Sequence, residues 1–174
     1  MSTGTFFYFA YGSNMLTARL QVPERCPSAR PVGVAELCGH ELRWHKRSLK
    51  DGSGKCDIVA SAAPDASVFG VLYEIAASDK PALDREEGLG KGYDVIEVDV
   101  LFKGSLREAR SYQATNADPT LRPYTWYHAL VLAGAREHSL PDDYIARLAT
   151  IPAIDDSNCE RHDTNMRLIA EVRV

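Results

Sequence analysis

Ten residues, Tyr93 to Phe102, alternate in a way that fixes a strand: Ile96, Val98 and Val100 fall on one side, Val95, Glu97 and Asp99 on the other. A period of two with one wet face is a half-buried strand. Lys103-Gly104 then forms a tight turn into a second run, Glu108 to Thr115, so the pair reads as an antiparallel hairpin. A lone hairpin is marginal in water and needs more strands beside it. The sequence supplies them at Phe6–Tyr11, Val32–Leu37, His40–His45, Ile58–Ala62 and Val68–Ile75, with 47–56 as a polar, glycine-bearing loop.

Helical signals are fewer and lie mostly late. Met15 to Leu20 predicts a short helix capped by Ser13 or Asn14, and Ser78 is placed to cap a helix from Asp79 to Glu87 that tolerates Pro81 in its first turn and stops at Gly88. Tyr124 to Glu137 has helical period, and Pro141 opens another helix to about Ala149. Arg167 to Val174 alternates, so a final strand is expected there, docked on the sheet or on a partner chain, which leaves room for a homodimer. Strands without βαβ alternation, followed by helices, predict an α+β fold with a mainly antiparallel, barrel-like mixed sheet and flanking helices. No repeat or linker interrupts the chain, so residues 1–174 are read as one domain, with 155–174 a tail of no assigned role.

Charge and length exclude several classes. A balance of 20 Lys+Arg against 24 Asp+Glu gives a net charge of −4, unlike the broad basic face of a nucleic-acid binder. No apolar run approaches the ~20 residues that span a bilayer, so no membrane partner is expected. The N-terminus lacks a basic segment followed by an apolar one, and Cys26, Cys38, Cys56 and Cys159 are scattered without a CxxC pair. A cytoplasmic protein with reduced thiols follows as the expectation.

Three groups of residues could carry chemistry. Tyr11-Gly12-Ser13-Asn14 follows a strand, and such a turn exposes successive backbone N–H groups that bind anions or oxyanions. A plain tight turn that needs a glycine fits as well. Glu87 closes the cluster Asp84, Glu86, Glu87 just before Gly88; the negative helix end and acidic neighbours would raise its pKa toward that of a general base. A solvated acidic helix face is the plainer alternative. Tyr93, Tyr112, Tyr124 and Tyr127 could converge as phenolic donors around a small polar substrate, or simply pack.

Other constellations are weaker. Cys38, His40, His45 and Cys56 have spacings of 2, 5 and 11 residues, which fit no standard zinc motif, so no metal is expected. Cys159 and His162 lie in a polar tail with no orienting partner. Arg43, Lys46, Arg47, Lys50 and Lys55 surround Trp44 as one basic stretch, either a solvated strand end or a source of attraction for an anionic substrate.

Taken together, these segments resemble the gamma-glutamylcyclotransferase family. YFAYGSNM is similar to its signature loop, and KRSLKDGSGKCDIV and VFGVLYEI resemble the next two segments. LDREEGLGKGYDVIEVDV is similar to the segment that carries the catalytic glutamate, and SYQAT and PYTWYHALVLAGAREHSLPDDYIARL complete the order across residues 6–151. The resemblance implies a reaction without metal or redox cofactor. The α-amine of a γ-glutamyl amide attacks its own γ-carbonyl and releases 5-oxoproline and a free amino acid or amine.

By position, the resemblance makes Glu87 the catalytic acid/base and Tyr11, Gly12, Ser13 and Asn14 the substrate-binding loop. Tyr93, Tyr112 and Tyr127 fall on or near its substrate-contacting tyrosines. Asn14 departs from the YGSL-type loop of the glutathione branch, and Ser13 from the YGT-type loop of the γ-glutamylamine branch. Two alternatives stay open: removal of a γ-glutamyl protecting group from a carrier-bound intermediate, and a non-catalytic small-molecule binder on the same fold.

Overall fold

The computed structural model describes residues 4–170. Its longest ladder is the expected hairpin: β6 (Tyr93–Phe102) pairs with β7 (Ser105–Ala114) in unbroken antiparallel register, from Tyr93↔Ala114 to Phe102↔Ser105. Lys103 (φ 49) and Gly104 (φ 79) both take the positive φ that a two-residue turn between right-twisted strands requires.

Around this hairpin close β1 (Thr5–Ala10), β2 (Arg30–Cys38) and β5 (Ser67–Ala76), giving a barrel of order β1-β5-β2-β6-β7. Every ladder is antiparallel except the seam, where β1 meets β7 in parallel at Tyr8↔Arg110. Phe9, Val71, Leu72, Tyr73, Ile75 and Val100 are wholly buried and belong to one hydrophobic core. The α+β, barrel-like architecture is therefore as expected. The strands either side of Gly39 (φ 69) do not pair with each other: the turn hands the chain to a separate two-stranded sheet of β3 (His40–Arg47) and β4 (Gly54–Ala60).

The helices depart from expectation in instructive places. Ser13 and Asn14 cap nothing; they lie inside a 3-10 turn, Ser13–Met15, that precedes α1 (Thr17–Leu20). Their side chains are committed elsewhere, and the first N–H of α1, on Thr17, donates instead to Glu137 at 2.9 Å. Ser78 likewise falls in a 3-10 turn ahead of α2 (Lys80–Glu87) and makes no cap. Gly88 does end α2 as expected, left-handed at φ 72, with Gly88 N–H on Arg85 and Leu89 N–H on the Asp84 carbonyl. That pair of bonds is the Schellman arrangement and satisfies the last carbonyls of the helix.

α3 (Thr125–Glu137) packs Gly134 directly on the 3-10 turn, and α4 (Asp142–Ala149) starts behind Pro141. The expected C-terminal strand is a helix through its described part: α5 (Cys159–Ala170) includes 167–170, while 171–174 lie outside the described residues. Half-buried Arg161, His162, Asn165, Met166 and Ile169 recur every three or four residues, which is helical spacing. All four cysteines are free thiols. Among the described residues, no helix is long and apolar enough to cross a membrane.

Asp156 fastens α5 to α3. Its carboxylate accepts two bonds from Arg161, both 2.6 Å, one from Trp126 Nε1 at 2.8 Å and one from the Asn158 N–H at 2.9 Å. The Arg161 bonds hold the Asp156 carboxyl well below the ordinary carboxylate range. A depressed folded pKa contributes stability that is complete above the unfolded value of about 3.9 and is lost progressively as pH falls from there through the depressed folded pKa. Asp156→Asn is therefore expected to lower Tm by several degrees at pH 7, with the gap to wild type closing below about pH 4. Melting curves from pH 7 downward check this; a gap independent of pH would refute the ionic account.

Candidate active site

Eight of the residues singled out from sequence, Tyr11, Gly12, Ser13, Asn14, Glu87, Tyr93, Tyr112 and Tyr127, line one pocket, together with Tyr8 and Cys56. Several elements deliver them. The turn after β1 brings Tyr11 to Asn14, the end of α2 brings Glu87, β6 and β7 bring Tyr93 and Tyr112, and α3 brings Tyr127. Tyr124 stays outside this pocket, half-buried beside the Asp51 carbonyl.

The turn is wedged against its neighbours. A Cβ on Gly12 would stand 3.1 Å from Cys56 Cβ and 3.1 Å from the Tyr127 hydroxyl, so the backbone approaches where only glycine fits without displacement. The Gly12 and Ser13 carbonyls accept the Met15 and Leu16 N–H groups at 3.0 and 3.2 Å. The N–H groups opening such a turn have no partner within it and are available to an anion.

Asn14 couples this turn to the carboxylate. Its amide nitrogen donates to Glu87 Oε1 at 2.6 Å and to the Tyr8 hydroxyl at 3.2 Å, while its amide oxygen accepts from Arg25 at 3.3 Å. Arg25 also stands 3.7 Å from Glu87 and 3.4 Å from Glu86. Glu87 thus faces one cation, Arg25, and an amide donor, beside the acidic neighbours expected of it. Its neighbours are spoken for: Glu86 pairs with Lys50 at 3.2 Å, and Asp84 with Lys80 at 2.6 Å. Partial burial pushes Glu86 up, but Arg25 and Lys50 outweigh it and keep that carboxyl below its ordinary value.

The tyrosine hydroxyls are engaged in hydrogen bonds within the protein. Tyr11 donates to the Tyr112 carbonyl, Tyr93 to the Cys56 carbonyl at 2.6 Å, and Tyr112 to Asp84 at 2.7 Å; Tyr127 accepts the Cys56 N–H at 3.1 Å. Burial raises the pKa of Tyr8, Tyr11, Tyr93 and Tyr127 well above the ordinary phenol, so all stay neutral near pH 7. Tyr11, Tyr93 and Tyr112 use their protons within the protein, whereas the Tyr8 and Tyr127 hydroxyls accept from Asn14 and Cys56.

A wider chamber of about 210 Å³ opens from this pocket, and the two share Ser13, Glu87, Tyr93 and Tyr127. Of its main charges, sequence reasoning missed Arg19 and Arg25, while Lys46 and Lys55 belong to the basic stretch offered as a source of attraction for an anionic substrate. The basic stretch is not simply a solvated strand end, because Lys46 is only 8% exposed and Lys55 is largely buried over the Trp126 and Tyr127 rings. Burial brings the Lys55 ammonium down to about 8, against the pull of Asp51 at 2.9 Å. Residues 48–53 form the rim and are closed on themselves by Ser48 N–H to Ser53 and Gly52 N–H to Ser48, both 2.9 Å. Cys38, His40, His45 and Cys56 do not gather: His45 binds Asp57 at 2.8 Å, Cys38 is exposed and Cys56 is in the pocket wall.

Comparison with known proteins agrees with this arrangement. Residues 67–148 match the AIG2-like family. The chain is 35% identical to the Bos taurus gamma-glutamylcyclotransferase over 155 residues, 87% of this chain and 81% of that one. It is 36% identical to the Mus musculus gamma-glutamylcyclotransferase over 160 residues, 84% and 79% of the two. A solved structure of a gamma-glutamyl cyclotransferase superposes with a TM-score of 0.83 at 33% identity, covering 94% of this chain and 99% of that one. With relatives this similar along nearly their whole length, the chain belongs to the gamma-glutamylcyclotransferase family.

Proposed function

We propose that the chain cyclises γ-glutamyl amides, releasing 5-oxoproline and a free amine or amino acid, with Glu87 as the proton carrier. The observation that carries this reading is the Glu87 carboxylate, held 2.6 Å from Asn14 of the turn, at the junction of a tyrosine-walled pocket and an open chamber. A γ-glutamyl group folded into the pocket brings its α-ammonium to Glu87. Glu87 takes a proton, the freed nitrogen attacks the γ-carbonyl carbon, and the carbonyl oxygen becomes an oxyanion within reach of the turn N–H groups. Glu87 then passes the proton to the departing nitrogen as the C–N bond breaks. Over the cycle two protons leave the attacking nitrogen and two arrive on the leaving one, so none is consumed. Ring closure is intramolecular, and alignment of this kind contributes about 7–11 kcal/mol in favourable cases.

The Arg25 and Asn14 contacts support an oriented Glu87 carboxylate, as a proton carrier requires. The four free thiols support a reducing, cytoplasmic setting. Product analysis tests the function: γ-glutamyl-alanine, γ-glutamyl-lysine, a γ-glutamyl alkylamine and glutathione are each incubated with the protein and assayed for 5-oxoproline. Release of 5-oxoproline with one equivalent of amine is expected. Folded protein that binds these compounds and forms no product would instead identify a binding module.

A further inference from the structure

Lys46 has a charge without a counter-charge. Its side chain sits on β3 in the wall of the outer chamber, with Nζ 4.3 Å above the Tyr93 ring. Gly92 leaves it room, since a Cβ there would stand 3.0 Å from Lys46 Cε and 3.2 Å from Nζ. Among the described residues, no carboxylate lies within ion-pair distance of Nζ and no acceptor takes a hydrogen bond from it. Burial lowers its pKa from the ordinary value, while Glu87 and Asp51 act at longer range in the other direction.

Three other cations of the chamber face carboxylates. Lys55 pairs with Asp51, Lys50 with Glu86, and Arg25 with Glu86 and Glu87. Arg19 also has no carboxylate within ion-pair distance among the described residues, but its guanidinium is held by neutral acceptors, Ser13 at 3.0 Å and Asn165 at 3.1 Å, whereas Lys46 Nζ donates to none. Arg85 and Lys91 are exposed. Seven cationic side chains against three carboxylates line this space, so the chamber as a whole attracts an anion, and Lys46 is the member with three ammonium protons to offer.

Position says which part of a substrate that anion belongs to. Lys46 lines the outer chamber and not the inner pocket, and Glu87 stands between them. If the glutamyl group fills the inner pocket, everything attached to the departing nitrogen lies on the Lys46 side. In an amino acid the α-carboxylate is one carbon removed from that nitrogen. Resting on the cyclotransferase reading, we infer that Lys46 is a specificity-determining residue that binds the carboxylate of the leaving group, favouring γ-glutamyl amino acids over γ-glutamyl alkylamines.

The test compares γ-glutamyl-alanine with γ-glutamyl-ethylamide, which differ by the leaving group's carboxylate alone. Wild type should prefer the alanine compound in kcat/KM by roughly tenfold to a hundredfold, the range of one charge-assisted hydrogen bond. In Lys46→Met, and in Lys46→Gln as a second variant, the ratio should fall toward one, through a raised KM for the alanine compound. A wild type with no preference, or variants that keep it, would overturn the inference. Equal losses on both substrates would also overturn it, because they would place Lys46 on the glutamyl moiety or in the scaffold. The same pair measured by titration calorimetry needs no turnover. Binding without 5-oxoproline would refute the cyclotransferase reading, and the binding ratio alone would then judge Lys46.

Discussion

Glu87→Gln is expected to lower kcat by about 10²–10⁴-fold, the usual contribution of a positioned acid/base, with Tm within a few degrees of wild type. The amide has nearly the same shape, and its oxygen can still accept from Asn14, which donates to Glu87 Oε1 at 2.6 Å. Arg25 keeps a carboxylate partner in Glu86 at 3.4 Å, so no buried cation is stranded. What the variant loses is the ability to accept and return a proton. Glu86→Gln is the matched control: it removes an equal charge from the adjacent position, whose carboxylate faces Arg25 and Lys50. Steady-state assays of both variants beside their melting curves decide the matter. Full activity in Glu87→Gln, or equal losses in the two, would sink the assignment.

The second large effect is on stability, and it has the opposite sign to the one helix propensity gives. Gly134 lies inside α3, where replacing glycine by alanine ordinarily stabilises by about 1 kcal/mol. Here the added Cβ would stand 2.5 Å from Leu16 N, and 2.7 Å from both the Met15 carbonyl carbon and Met15 Cβ. Two of those atoms are backbone and cannot rotate aside, so either α3 or the 3-10 turn must move. Overpacking of this kind costs about 1–3 kcal/mol or more, enough to reverse the propensity gain. Gly134→Ala should lower Tm by roughly 2–8 °C for a chain of this size. It should also lower activity, because the displaced turn carries Asn14, whose bond to Glu87 is sensitive to small shifts. Calorimetric melting gives the sign directly, and a raised Tm would refute the close approach.

Much of this was legible in sequence wherever local pattern and tertiary setting agree. The alternation of Tyr93–Phe102 survives because one face of that strand is wet, and Gly88 ends α2 because only glycine readily takes φ 72 there. The eight candidate residues were named as a set through the family resemblance, and the structure brings them to one pocket. Where long-range partners decide, local reading failed. Ser13 and Asn14 have the chemistry of caps, but Arg19 and Glu87 claim their side chains. Arg167 onward alternates over a window too short to show the helical stripe that begins at Arg161. Lys46 could be read only as part of a basic stretch, on a solvated strand end or attracting an anionic substrate, because nothing local reveals that β3 turns it over the Tyr93 ring. Arg25 follows no motif at all; its role comes from α2 folding back beside it.

The parallel seam of the barrel has a kinetic consequence. The turn that precedes Asn14 is pinned by Tyr11 donating to the Tyr112 carbonyl, and its strand by Ser111 donating to the Phe9 carbonyl at 2.9 Å, contacts between residues 101 and 102 apart in the chain. Loops of that span close late relative to hairpins, since their entropy must be offset before any native contact rewards it. The first segment of the site to be synthesised is thus among the last to be fixed in place. A refolding chain should acquire its β6–β7 hairpin well before it acquires turnover, and recovered activity becomes a report on barrel closure rather than on secondary structure.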